Sequence, residues 1–238
     1  MAFDIYKTNI SKILFLDIET VPMTAEFDNL PEKFKKLWEK KAGYLKKDEE
    51  DTPEKLFNRA GIYSEFGKIV CISAGFIKNK EFRVKSFYGD DEKILLNEFS
   101  DLLNNHYASP ESLLCAHNGK EFDYPYIARR MIINGLHLPS ILNIAGKKPW
   151  EVYHLDTMEL WKFGDYKNYT SLDLLATIFN IPTPKGDIDG SQVAEVYYTE
   201  KDLERIAKYC QRDTLTVAQI FLSYLGKPII KEEDIIYL

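Results

Sequence analysis

The chain has 238 residues, 45% of them hydrophobic, and a formal net charge of −6 with a pI near 5.4. That length and apolar content suit a single enzyme-sized domain over 1–238, and they fall short of what an added polymerase domain would require. The acidity is the reverse of a duplex-coating protein's basic footprint, no apolar run approaches membrane length, and Met1-Ala2-Phe3-Asp4 lacks a signal-peptide pattern, so a cytoplasmic location is expected.

The run Ile13-Leu14-Phe15-Leu16-Asp17-Ile18-Glu19-Thr20 is short, apolar and rich in strand formers, which predicts a central strand over Ile13 to Glu19 buried on both faces. Strand alternation puts Asp17 and Glu19 on one face. Two carboxylates there repel each other and lose hydration, so a cationic partner is expected. Taken alone, such a pair equally fits a loop cap or a lysine partner.

Residues 22–67 are long for a connection and predict a helical insertion. Phe34, Leu37, Trp38 and Leu45 form an apolar helical stripe, while Lys33, Lys35, Lys36, Lys40, Lys41, Lys46 and Lys47 crowd the remaining surface. Two readings stand side by side: a basic flap that guides single-stranded nucleic acid, or an amphipathic helix whose lysines are merely solvated. The stretch Lys47 to Pro53 reads as a loop before a further short helix.

Strands are expected over Lys68 to Ile77 and Phe82 to Tyr88, joined as a hairpin through Lys78-Asn79-Lys80-Glu81. A helix over Asp91 to Asn105, a strand over Ser112 to Ala116 and a helix over Tyr124 to Asn134, closed by Gly135, follow. Asp123 precedes that helix and Pro125 sits in its first turn, an arrangement that a plain helix cap would also give. Another strand is expected near Val152 to Leu155, with Asp156 capping a helix near Met158. Later helices fit Ser171 to Phe179, Gln192 to Tyr198, and Lys201 to Leu225, where Tyr209 and Asp213, four apart, share a face. Cys71, Cys115 and Cys210 have no ligand spacing and read as reduced core residues, so zinc is not expected. The alternation gives an α/β fold, a mixed five-stranded sheet with helices on both faces.

Leu16-Asp17-Ile18-Glu19-Thr20, His117-Asn118-Gly119-Lys120-Glu121-Phe122-Asp123 and Tyr209-Cys210-Gln211-Arg212-Asp213 stand in the order and style of the three exonuclease motifs of the DEDD superfamily, in its tyrosine (DEDDy) variant. Tyr169-Thr170-Ser171-Leu172 is similar to a helix start seen in relatives. The resemblance spans Ile13 to Leu225 and looks closest to stand-alone bacterial 3′-5′ exonucleases related to the exonuclease domain of family B DNA polymerases. It implies an RNase H-like fold, two divalent cations (Mg²⁺ or Mn²⁺), and hydrolysis of phosphodiester bonds from a single-stranded 3′ end, DNA or RNA. By the same resemblance Asp17 bridges both ions, Glu19 and Asp213 complete the water-activating site, Asp123 supports the second ion, and Tyr209 orients the water. Such chemistry suits hard oxygen ligands.

Thr20, Val21, Asn118, Phe122 and Lys185 are the candidate substrate contacts, with ordinary alternatives of strand end, core ring and solvated loop lysine. His117 is expected to be hydrogen-bonded at the sheet edge. Setting aside the four motif acids takes the net charge from −6 to −2, which fits a transient hold on a strand end. The alternatives are an RNA-end nuclease and a non-catalytic nucleic-acid-binding module; no membrane is implied, and a polymerase or repair partner is not readable.

Overall fold

The apolar run at Ile13 continues as a strand beyond Glu19 to Pro22 (β1, Ile13–Pro22). The computed structural model describes residues 4–165, 167, 169–182 and 188–238. After β1 come α1 (Glu32–Leu45), α2 (Pro53–Leu56), β2 (Gly67–Lys78), β3 (Glu81–Tyr88), α3 (Glu92–His106), β4 (Leu113–Ala116), α4 (Asp123–Ile133), β5 (Leu155–Asp156) and α5 (Thr157–Lys162). Then α6 (Leu172–Ile178), α7 (Val193–Glu195), α8 (Leu203–Tyr224) and β6 (Ile235–Tyr237) complete the order.

The strands form one mixed sheet in the order β5-β4-β1-β2-β3-β6. Among the described residues it has six strands where five were expected. The extra one, β6, is three residues at the sheet edge, parallel to β3, and too short to leave a periodic pattern. β5 is shorter than expected because the His154 ring intervenes: its Nδ1 accepts the Leu114 N–H at 3.3 Å, a bond a longer strand would have taken with backbone. The hairpin turns through Asn79 and Lys80, both at positive φ, as a two-residue loop matched to strand twist requires.

Alternation along β1 divides the core. Ile13 and Phe15 pack with Val217, Ala218 and Phe221 of α8 on one face. Leu14, Leu16 and Ile18 pack with Leu96 and Phe99 of α3 and Tyr124, Ile127 and Met131 of α4 on the other. Each such side chain contributes about 1.5–3 kcal/mol by leaving water. The β1–β2 register slips between Glu19 and Thr20, so Glu19 faces Cys71 while Thr20 faces Ile69, a bulge beside the two acids.

The long connection between β1 and β2 has a core of its own, with Trp38 fully buried among Phe27, Leu30, Phe57 and Ala60. The Trp38 indole donates to the Pro53 carbonyl at 2.8 Å. Gly61 permits this layer to lie against β1, since a Cβ there would meet the Val21 backbone at 3.0 Å. Two bonds lock it to α4: the Tyr126 hydroxyl donates to the Gly61 carbonyl at 2.7 Å, and Arg130 Nη1 donates to the Ser64 carbonyl at 2.8 Å. Arg130 is itself held by a bidentate pair with buried Glu92 at 2.8 and 2.5 Å, and Glu92 also accepts the Ile69 N–H at 2.7 Å. Thus β2, α3, α4 and the inserted layer meet at one buried ion pair.

Candidate active site

β4 pairs with β1 only through Ile13, Leu14 and Phe15, whereas β1 runs on to Pro22. Beyond Phe15 the two parallel strands part, and the crevice at their carboxyl ends is where open α/β sheets place ligands. Asp17 and Glu19 lie on this unpaired stretch, on the face covered by α8. Asp123 opens α4 across the crevice, 3% exposed, its carboxylate accepting the Ile18 N–H and its own N–H. It therefore supplies β1 with a hydrogen-bond partner where the β4 ladder ends.

The helical face expected from Tyr209 and Asp213 arrives from α8. Their side chains are hydrogen-bonded to each other, and the Arg212 guanidinium lies 5.7 Å from the Tyr209 ring centroid. Asp17, Glu19 and Cys210 bring one ligand-type atom each within 4.8 Å of one another; Asp123 and Asp213 stand outside that tight group but act on it by charge. Cys210 was expected to be a plain core residue. It is buried, and its thiol points at the Asp17 carbonyl (3.3 Å) and carboxylate (3.4 Å). Nothing in the helical pattern separates it from the apolar positions beside it, so sequence reasoning missed this role.

The electrostatics are those of a carboxylate cluster taken out of water. Burial, then repulsion from Asp213 and Asp123, pushes Asp17 well above the usual carboxylate range, against a lowering hydrogen bond from Cys210. Burial and repulsion from Asp17 and Asp213 do the same to Glu19. Asp123 is pushed up to about 8, chiefly by burial, and Asp213 to about 6 by burial, partly offset by its bond with Tyr209. The Tyr209 hydroxyl is raised by burial and by the Asp213, Glu19 and Asp17 charges, so it stays protonated at neutral pH. Cys210 is raised by burial and its neighbours, which leaves a thiol donor rather than a soft thiolate ligand.

The loop that delivers Asp123 is held by a residue of another strand. Asp156, 2% exposed, caps α5 as expected, accepting from Met158 and Glu159 N–H, and also accepts from Asn118 N (3.0 Å) and Lys120 N (3.1 Å). Gly119 is required there because a Cβ would fall 2.5 Å from Ala116 Cβ and 2.8 Å from the Tyr124 ring. His117 Nε2 meets the Thr170 carbonyl and Nδ1 meets the Thr157 hydroxyl, both at 2.9 Å. A carbonyl only accepts, so the proton sits on Nε2, and burial holds the ring below its ordinary pKa.

The remaining candidates fall in different places. Thr20 lies on the α4 face, hydrogen-bonded to Tyr126. Val21 is fully buried, backbone included, and packs with Ile206 and Cys210 of α8. Asn118 has a left-handed backbone (φ 62°) and a buried Oδ1 with no hydrogen-bond partner, an acceptor held in reserve beside the crevice. Phe122 is half-buried against the core, its ring 5.3 Å from Tyr126. Lys185 lies outside the described residues. Among the described residues, no lysine or arginine forms an ion pair with Asp17, Glu19 or Asp123. Among the described residues no side chain supplies the cationic partner expected from the sequence for these three acids, and a set of hard, desolvated carboxylates fits a divalent cation.

Residues 62–231 match a family model described as a predicted 3′-5′ exonuclease related to the exonuclease domain of PolB. Asp123, Tyr209 and Asp213 fall inside the matched span; Asp17 and Glu19 precede it and join the site through the sheet. A DNA polymerase of Pyrococcus glycovorans is 27% identical over 114 residues, covering 42% of this chain. The chain spans 14% of that polymerase's length. With most of its length matched, the chain belongs to the family of predicted 3′-5′ exonucleases related to the exonuclease domain of PolB.

Proposed function

We propose that the protein is a divalent-metal-dependent exonuclease that releases nucleotides from the 3′ end of single-stranded nucleic acid, DNA in preference to RNA, with 1–238 acting as a single exonuclease domain and 22–67 as its helical insertion. The observation that carries this reading is the desolvated carboxylate cluster at the β1–β4 crevice, in which Asp17, Glu19 and Asp123 have no ion-paired lysine or arginine among the described residues. The similarity to a DNA polymerase favours DNA.

In this reading Asp17, Glu19, Asp123 and Asp213 hold two cations. Bound there, such ions lower the pKa of water and offset charge on the phosphate oxygens. Tyr209, kept protonated by burial and by its acidic neighbours, donates and orients rather than acting as a base. Asp213 accepts from Tyr209 and fixes the ring's aim. Cys210 donates to Asp17 and holds that carboxylate in place. Asn118, whose Oδ1 is buried without a partner among the described residues, reaches the entering strand only if its side chain turns outward.

End-labelled single-stranded DNA and RNA, incubated with Mg²⁺, Mn²⁺ or chelator, test the proposal. Stepwise shortening from the 3′ end with metal alone is expected, faster on DNA. No nucleotide release with either metal, or an unchanged rate in Asp17→Asn, would overturn it.

A further inference from the structure

The connection between β1 and β2 carries a second charged surface, and nearly all of it precedes the family-matched span 62–231. α1 buries Trp38 and Ala42 and half-buries Phe34, Lys41 and Leu45 on one side. The opposite side is solvent-facing. At 3.6 residues per turn Lys33, Leu37, Lys40 and Tyr44 fall on one narrow stripe, with Lys36 at its edge. Leu37 is 49% and Tyr44 79% exposed, an aromatic ring and an aliphatic chain standing between cations in water.

The lysines of α1 divide by use. Lys41 lies over the Tyr63 ring and Lys35 reaches Asp28, so both serve the inserted layer's own packing. Lys36 has only an exposed Glu32 at 3.9 Å, worth little in water, and Lys33 and Lys40 have no ion pair among the described residues. Glu32 and Glu39 sit together on the flank and leave the stripe itself positive. A stripe of this kind is at odds with a chain of net charge −6. Its support is rigid: the layer is bolted to α4, which carries Asp123, and its chain leaves β1 at the same sheet end as Asp17 and Glu19.

We infer that the Lys33-Lys36-Lys40-Tyr44 face of α1 binds the backbone of single-stranded nucleic acid, holding the strand upstream of the 3′ end that enters the crevice. The identity of the strand as substrate rests on the exonuclease reading; the binding itself does not. Lys33 to Lys40 spans about 10 Å along the helix, about three nucleotides at a stacked rise of roughly 3.4 Å. Cations spaced along a strand with an aromatic ring at the end are the elements of sequence-tolerant single-strand binding, and Tyr44 supplies a face on which a base stacks.

The test is fluorescence anisotropy with a labelled single strand of about 20 nucleotides in Ca²⁺, over a range of NaCl concentrations, with the full chain. Lys33→Gln/Lys36→Gln/Lys40→Gln should weaken binding at least tenfold. It should also lower the magnitude of the salt slope by about 2, since each single-strand phosphate contact contributes roughly 0.7. The arginine version of the triple should bind as wild type. Lys78→Gln/Lys80→Gln/Lys227→Gln removes the same charge at the opposite sheet end and should leave affinity and slope unchanged. A glutamine triple that binds within twofold of wild type with the same slope would overturn the inference, as would an equal loss in the opposite-end control or a loss confined to duplex DNA. Nucleotide release with Mg²⁺ or Mn²⁺ is scored separately. A wild type that binds strands through α1 and releases nothing would sink the exonuclease reading and leave the α1 assignment in place.

Discussion

Asp123→Asn separates what the cluster does for chemistry from what it costs the fold. The Asp123 carboxyl ionises near 3.8 in an unfolded chain and near 8 in the folded one, because burial penalises the anion. That difference of about 4 pH units, at about 1.36 kcal/mol each, sets an upper figure of roughly 6 kcal/mol; relaxation and water entering the crevice bring the expected effect to about 2–4 kcal/mol. The sign follows from proton binding. Between pH 4 and 8 the folded state holds a proton that the unfolded chain has released, so this group's contribution is complete below about pH 4 and is lost as pH rises through 8. Asparagine keeps an acceptor for the Ile18 N–H and cannot ionise. In chelator the variant should therefore exceed wild type by about 1 kcal/mol near pH 5 and by about 2–4 kcal/mol at pH 8, while nuclease activity falls at least 10³-fold. Urea unfolding followed by tryptophan fluorescence at both pH values measures this, and taking the difference between the two proteins cancels the other titrating groups. A variant no more stable than wild type at pH 8, or a difference that does not change with pH, would refute the argument.

Asp213→Ala should reduce metal-dependent nucleotide release by about 10³-fold or more, whereas Tyr209→Phe should retain measurable activity, reduced about 10–100-fold, because positioning contributes less than metal holding. Equal rates in the two variants, read on a 3′-labelled strand, would contradict the assigned roles. Arg130→Met leaves Glu92 buried without its partner and should cost about 3–5 kcal/mol in denaturant unfolding, with Glu92→Met/Arg130→Met recovering most of the loss. Gly119→Ala forces a methyl against Ala116 and Tyr124. It should destabilise by about 1–3 kcal/mol and lower kcat with the fold retained, checked by circular dichroism beside the nuclease assay.

Much of this arrangement was legible in the chain because it follows strict periodicities. The strand period alone places Asp17 and Glu19 on one side of β1, and the helical period alone places Tyr209 and Asp213 on one side of α8. What escaped has no period. Asp156 acts through four backbone N–H groups, two of them nearly forty residues away, so its cap role was readable from Met158 but its hold on the Asn118 loop was not. His154 replaces a ladder bond with a ring nitrogen, which ends β5 where residue pattern alone would extend it. Cys210 counts as apolar in any helical pattern, and only the approach of α8 to β1 reveals its thiol beside a carboxylate. Thr20, by contrast, is three residues from Asp17, so the strand period alone sends it to the opposite face; the extra residue of the bulge, Val70, lies on β2.

The stretch of β1 that outruns β4 also bears on self-association. Past Phe15 one edge of this central strand lacks a ladder partner among the described residues, and such an edge is a template on which another polypeptide strand can pair. Once ionised, above about pH 8 for Asp123, the inward carboxylates of Asp17, Glu19 and Asp123 guard it, since an invading peptide would have to press its carbonyl oxygens against them. Neutralising the cluster removes the guard together with the strain. Asp17→Asn/Glu19→Gln/Asp123→Asn should therefore be harder to unfold and yet associate more readily as its concentration rises, which light scattering at a constant pH above 8 would register.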